Sequence, residues 1–231
     1  MAKKDFYMVI DVEGTGEPTN AFVYDVGGKI VDRQGKEYER FSFVVSDIFE
    51  NGELMSSAYY FEKIPQYYDE LANDRTKKIS FYHIRKHIIS LITKYGVKEV
   101  FAYNAVYDRN ALNNTLSHLT NDKYRYFFPY GIKISCIWYM ACQVICTKKS
   151  YYVFCVTNNF VSNAGNIRTS AEVVYAYLTN DVVFEEKHMG VYDSDIEAEI
   201  LLACFKRKKK MERGIKNFCW RIPQRKRKKG D

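Results

Sequence analysis

Phe6-Tyr7-Met8-Val9-Ile10-Asp11-Val12-Glu13-Gly14-Thr15 is the first patterned stretch of the 231-residue chain. Its first half is aromatic and β-branched apart from Met8, which reads as a buried strand, and the polar, glycine-containing segment 11–18 reads as the loop into which that strand emerges. Asp11 and Glu13 stand two apart at the strand end, where side chains i and i+2 point to the same side. Two carboxylates so placed repel each other unless a cation lies between them, and hard divalent ions such as Mg²⁺ take oxygen ligands. An exposed acidic loop has the same composition, so the pair alone leaves both readings open.

Outward from this strand, the run 21–31 contains Gly27-Gly28, the segment 32–35 supplies turn chemistry, and 39–45 is again β-branched and aromatic. Together they predict three successive antiparallel strands. Residues 46–78 alternate between aromatic and charged, which suggests short helices and a long connection. From residue 80 the period changes: Ile84, Ile88, Leu91, Ile92 and Tyr95 recur at helical spacing, and Gly96 is a plausible stop. A short strand over 100–103, a helix over 108–119, a strand over 132–137 and a helix over 138–146 follow. Beyond a polar stretch at 158–168, a helix is expected over 171–178, capped by Thr169 or Ser170, and a last one over 194–210. Antiparallel strands followed by alternating helix and strand imply an α/β domain with a mixed sheet flanked by helices.

The chain has 35 Lys+Arg and 28 Asp+Glu, but the excess is local. Residues 206–231 hold 13 basic and 2 acidic residues, leaving 22 basic and 26 acidic residues in 1–205. The expected organisation is a mildly acidic domain, 1–205, and a basic C-terminal extension, 206–231, which is either a solvated tail or a contact for a polyanion. In the second case, truncation near residue 210 is expected to weaken substrate binding and spare turnover. At this length and composition the chain reads as one globular domain that needs neither disulfides nor structural metal to fold. The apolar run near the start is too short for a signal-peptide core, and no stretch approaches the roughly 18 apolar residues of a membrane helix. A cytoplasmic protein without membrane contact is expected. The six cysteines show no paired zinc-type spacing; Cys142 and Cys146, four apart on a predicted helix, read as buried thiols or, less simply, a metal pair.

Two further places carry titratable groups at predicted element boundaries. Asp108 lies beyond the strand over 100–103, where a helix cap is its bland role. His188 and Asp193, five apart, precede the last helix, where they read as a loop histidine and another cap. The order of all three sets is informative. Asp11-Val12-Glu13-Gly14-Thr15, then Tyr103-Asn104-Ala105-Val106-Tyr107-Asp108, then His188 with Asp193 resemble the three motifs of the DEDDh (DnaQ-like) 3′→5′ exonuclease family, which includes the epsilon proofreading subunit of bacterial DNA polymerase III and phage exonucleases. The His-x4-Asp spacing distinguishes this branch from one using Tyr-x3-Asp, and position 189 is Met. Stretches 28–31, 41–45 and 193–201 resemble the family's second and third strands and last helix, so the resemblance covers roughly 5–205. It departs at Tyr103, where many members have His, at Tyr107, where Phe is usual, and at Gly14 and Gly190, which vary.

The resemblance implies a ribonuclease H-like fold with a mixed five-stranded sheet and a hydrolase, a Mg²⁺- or Mn²⁺-dependent nuclease, that releases nucleoside 5′-monophosphates from 3′ ends of single-stranded DNA. Two ions about 4 Å apart would activate water and clamp the phosphate. Asp11, Glu13, Asp108 and Asp193 would be metal ligands and His188 the general base, suited by an unperturbed pKa of about 6.5. Thr15 and Asn104 would hold the terminal nucleotide and support the second motif. RNA or oligoribonucleotide substrates, a non-catalytic polymerase-associated module and a turnover-free nucleic-acid binder are the alternatives. A polymerase partner, with a role in proofreading and DNA replication, is a further expectation. The oligomeric state is open.

Overall fold

The computed structural model describes residues 4–121, 125–207 and 210–227. The chain begins with three strands, β1 (Phe6–Thr15), β2 (Phe22–Asp32) and β3 (Glu37–Val45), paired antiparallel as their patterning predicts. The turn between β2 and β3 is held by Asp32, whose side chain accepts from the amides of Gln34 and Lys36 at 2.8 and 3.0 Å. β1 is longer than its apolar half. It keeps its register with β2 through Asp11, opposite Gly27, and Glu13, opposite Asp25. Asp11 and Glu13 therefore sit within a paired strand rather than in the loop the sequence suggests. A bulge follows, in which Tyr24 is skipped between the pairs Glu13–Asp25 and Gly14–Val23. An extra residue of this kind bends a strand and increases its twist.

Residues 46–79 form α1 (Ser46–Phe49), α2 (Gly52–Met55), a 3₁₀ turn (Phe61–Lys63), α3 (Ile64–Ala72) and β4 (Lys77–Ile79). β4 runs parallel to β3, so the sheet has six strands rather than the five expected, in the order β4-β3-β2-β1-β5-β6. The sequence conceals β4 because it is a three-residue edge strand whose two lysines are exposed, without alternation to read. Edge strands are commonly kept short and charged, which discourages pairing with other chains.

Next come α4 (Phe81–Tyr95), β5 (Glu99–Ala102), α5 (Ala105–Thr120), β6 (Lys133–Cys136) and α6 (Ile137–Val144), with β1, β5 and β6 parallel. Gly96 ends α4 at φ +62° with its amide on the Ile92 and Thr93 carbonyls, as the sequence predicts. α5 begins three residues early, because Asn104 takes φ +61° immediately after β5 and the Tyr107 amide donates to its carbonyl at 2.8 Å. Asp108 therefore lies in the first turn and is not the cap. α7 (Lys149–Thr157) is unanticipated: Tyr151 and Cys155 point inward four apart, but Val153 and Val156 are exposed and blur the period. α8 (Ala171–Thr179) follows Ser170, which precedes it without a side-chain capping bond.

α9 (Gly190–Phe205) packs on β1 and β2 and starts four residues earlier than expected. Its N-terminus lies almost on the sheet. A Cβ on Gly27 would be 1.8 Å from the Val191 nitrogen, and one on Gly190 would be 2.6 Å from the Asp11 carbonyl. Only glycine at both positions permits this approach. The helix ends at Phe205 rather than at the expected 210; residues 208–209, and 228–231 of the basic extension, lie outside the described residues. The described part of the extension returns to the body. Arg213 pairs with Glu99 at 2.8 Å, the Cys136 amide donates to the Gly214 carbonyl, and Cys219 is fully buried. α10 (Arg221–Arg227) contacts α6, and Gln224 donates to the Ile167 carbonyl at 3.0 Å. Truncation near 210 therefore removes packed structure as well as charge. The six cysteines are all buried and reduced. No helix among the described residues is long and apolar enough to cross a membrane.

Candidate active site

A cavity of about 500 Å³ opens where β1, the β5–α5 junction and the start of α9 meet. Asp11, Glu13, Asp108, His188 and Asp193 all line it, as does Asn104. Thr15 does not: its side chain is buried, 3.4 Å from the Phe22 carbonyl, and after Glu13 the chain next lines the cavity at Gly16. The walls include Tyr60, Tyr107 and Trp138. Glu13, His188 and Asp193 each offer a ligand atom, and those atoms lie within 4.8 Å of one another.

The local backbone explains the convergence. Residues two apart on β1 put Asp11 and Glu13 on one face, and their β2 partners, Gly27 and Asp25, lie on the same face. Asp25, which sequence reading did not select, anchors the third segment. Its Oδ2 accepts from the Gly190 amide at 2.7 Å and the Tyr67 hydroxyl at 2.8 Å, with the His188 carbonyl 3.3 Å from the same hydroxyl. His188 itself takes φ +54°. Its ring stacks on Tyr60, with centroids 3.8 Å apart and planes 10° from parallel.

Three of these carboxylates are deeply enclosed, Glu13 at 7% exposed, Asp108 at 3% and Asp193 at 7%, while Asp11 is partly exposed. Asp11 Oδ2, both Asp108 oxygens and Asp193 Oδ1 are shut off from solvent without hydrogen-bond partners. Burying an unpaired carboxylate favours its protonated form, and neighbouring carboxylates add to the effect. Burial, then Glu197, Asp108 and other neighbours, push Asp11 well above the usual carboxylate range. Burial, then Asp193, Asp25 and Asp108, do the same to Glu13. Asp108 rises chiefly through burial. Asp193 is pushed up to about 8 by burial and by Glu186 and Asp25, and Glu186, at the rim, to about 7 by burial and Glu172. His188 moves the other way: burial and then Lys63 lower its pKa, which keeps its imidazole neutral near pH 7.

Oxygen-rich, unpartnered and mutually repelling, this donor set fits hard divalent cations, which take carboxylate oxygens and cancel the repulsion. Glu197, four residues after Asp193 on α9, also lines the cavity. A signal for it existed in the sequence, since carboxylates at i and i+4 share a helix face, but Asp195 and Glu199 lie beside it and only the fold tells the three apart.

No known protein-family model matches the chain, and no curated protein matches it. The fold is similar to that of Escherichia coli Exonuclease I. The structure in complex with a dT13 oligonucleotide gives a TM-score of 0.59 at 14% identity over 88% of this chain and 42% of that one. The complex with a 5cy-dT13 oligonucleotide gives 0.56 at 14% identity over 87% and 40%. The ExoI/SSB-Ct complex gives 0.54 at 14% identity over 88% and 42%. The chain thus spans less than half the length of these proteins, and at such identity the likeness is one of fold. The architecture is the ribonuclease H-like fold, a mixed six-stranded sheet flanked by helices.

Proposed function

We propose that the chain is a divalent-metal-dependent 3′→5′ exonuclease that removes nucleoside 5′-monophosphates from the ends of single-stranded DNA. The observation that carries this reading is the convergence of four carboxylates and a histidine, from three distant segments, on one cavity in which carboxylate oxygens are buried and unpartnered. The oligonucleotides in the Exonuclease I structures support the choice of substrate class.

Asp11, Glu13, Asp108 and Asp193 would hold the cations. When bound, these ions supply neutralisation of phosphate charge and a more acidic water. His188, neutral near pH 7, accepts the proton of the attacking water at a ring nitrogen. The Tyr60 stack fixes the plane of that ring, and the Asp25–Gly190 bond fixes the backbone that carries it. Tyr107 and Trp138 offer aromatic faces to an unpaired base, a contact worth about 1–3 kcal/mol per base in single-strand binders. Asn104, exposed at the start of α5, is placed to meet the sugar-phosphate chain.

The test uses 5′-labelled single-stranded DNA and RNA with Mg²⁺ or Mn²⁺. A ladder shortening from the 3′ end, abolished by chelator, by Asp11→Ala and by His188→Ala, is the expected result, and the relative rates of the two polymers decide between DNA and RNA. Undiminished cleavage by Asp11→Ala sinks the proposal.

A further inference from the structure

Glu197 is 2% exposed and lies one helical turn beyond Asp193 on α9. Its Oε1 accepts from the Tyr103 amide at 3.0 Å, just past β5. Its Oε2 is shut off from solvent without a hydrogen-bond partner, and the residue lines the same cavity as Asp11 and Asp108. Among neighbouring charges, Glu197 acts most strongly on Asp11, and Asp108 acts most strongly on Glu197. Two ordinary roles do not account for it. Holding the Tyr103 amide requires one carbonyl-type oxygen, which glutamine supplies without bringing a charge into the interior. An ion-pair role requires a basic partner, and among the described residues no Lys, Arg or His pairs with it.

Resting on the cation-dependent reading above, we infer that Glu197 is a fifth carboxylate of the divalent-cation site. Its free oxygen would meet cations held by Asp11 and Asp108, directly or through one water. In the absence of cation the extra buried charge destabilises the fold; with cation bound it strengthens the site. Residues that act on bound metal without belonging to the primary ligand set commonly change affinity about 10- to 100-fold.

The experiment compares the full-length protein with Glu197→Gln and Asp11→Asn, by thermal unfolding in chelator and in Mn²⁺ and by calorimetric titration with Mn²⁺ alone. Glu197→Gln keeps the acceptor for Tyr103 and removes the charge. The expected result is a higher melting temperature than the unaltered protein in chelator, a smaller Mn²⁺-induced rise, and Mn²⁺ binding weakened about 10-fold or more. A purely structural Glu197 gives a variant less stable in both conditions with unchanged Mn²⁺ affinity, and that outcome overturns the inference. If the unaltered protein responds to Mn²⁺, Asp11→Asn does not, and Glu197→Gln behaves as unaltered, this inference fails alone. If the unaltered protein and Asp11→Asn respond alike, the cation-dependent reading fails with it. Crystals of unaltered protein soaked in Mn²⁺ give a reading free of variants: an anomalous peak is expected within about 5 Å of a Glu197 oxygen, the reach of one bridging water. Peaks that are all farther away overturn the inference.

Discussion

Gly27→Ala tests whether close approach of α9 to the sheet builds the site. The new Cβ would lie 1.8 Å from the Val191 nitrogen and 2.0 Å from the Gly190 carbonyl carbon, against a floor of about 3.0 Å for such contacts. Both obstacles are backbone, so no side chain can swing aside, and the first turn of α9 must lift by about 1.2 Å. Asp193 lies in that turn. The same lift stretches the 2.7 Å bond from the Gly190 amide to Asp25 beyond hydrogen-bonding range. Overpacking costs about 1–3 kcal/mol, and a lost bond to a carboxyl about 1.5–3 more. At about 2–4 °C per kcal/mol for a chain of this size, the melting temperature should fall by roughly 5–24 °C. A misplacement near 1 Å costs on the order of 100-fold in turnover. Differential scanning fluorimetry, Mn²⁺ titration and oligonucleotide cleavage at a temperature where the variant is folded read the three effects separately. Gly52→Ala, whose Cβ meets nothing within 4 Å, is the control and should change none of them. A Gly27→Ala protein with unaltered melting temperature and Mn²⁺ affinity would refute the reasoning.

In metal-free protein, Asp193 is held up to about 8 and Asp25 to about 6; a carboxyl raised on folding binds more protons folded than unfolded, so stability should be greatest in acid and decline as pH rises from about 4 through about 8. Melting temperature in chelator should fall over that window, and Mn²⁺ binding, which needs Asp193 ionised, should reduce the fall and release protons measurable as buffer-dependent heat; a rising profile in chelator contradicts this. Tyr60→Phe preserves the stack on His188 and should leave cleavage within about two-fold, whereas Tyr60→Ala removes burial that lowers the imidazole pKa and should move the acidic limb of kcat/KM upward in pH. Identical pH profiles for the two variants would exclude that role for the stack. Replacing Arg221 and Arg225 together by Gln should reduce the slope of log affinity against log salt by about 1.4 if both meet single-strand phosphates, while truncation at 210 should lower the melting temperature because it removes buried Cys219 and Gln224.

Where one residue type dominated a periodic run, the sequence was readable. The strand over 6–10, the helix ended by Gly96 and the alternation of helix and strand after residue 96 follow from patterning that burial reproduces. Illegible parts have physical reasons. β4 has three residues and two solvent-facing lysines, and α7 has apolar residues on both its buried and exposed sides. Asp11 and Glu13 looked like loop residues because polarity normally marks the end of a strand; here β2 continues to pair beside them as far as Thr15. Asp25 and Glu197 are not singled out by the sequence for another reason. Asp25 is a lone acid in an apolar run and Glu197 one of three acids at alternate positions of α9, and the distinction of each, a buried carboxylate turned toward the backbone of α9 or toward the cavity, exists only after β1, β2 and α9 are packed. Thr15 shows the converse: motif order suggested a nucleotide contact, and the fold buries its side chain.

The charge distribution acquires a different meaning from the packing. An acidic body can place its carboxylates in water at little cost, as it does with Asp195, which pairs with Lys29 and Arg40 near the surface. Asp11, Glu13, Asp108, Asp193 and Glu197 line instead a cavity where solvation is reduced, and no Lys or Arg among the described residues pairs with them. Ordinary stability does not favour that arrangement, because neutral residues of similar shape would avoid both desolvation and mutual repulsion. The backbone is shaped around the same place: a bulge at Tyr24 opposite Glu13, Asn104 and His188 at positive φ, and two glycines that let α9 touch the sheet. Each device is ordinary alone, and Asn121 and Asn180 take similar φ values at helix ends without lining the cavity. Their coincidence around one set of unpartnered carboxylates is what separates a site from an accident of composition, and it does so on grounds independent of motif order.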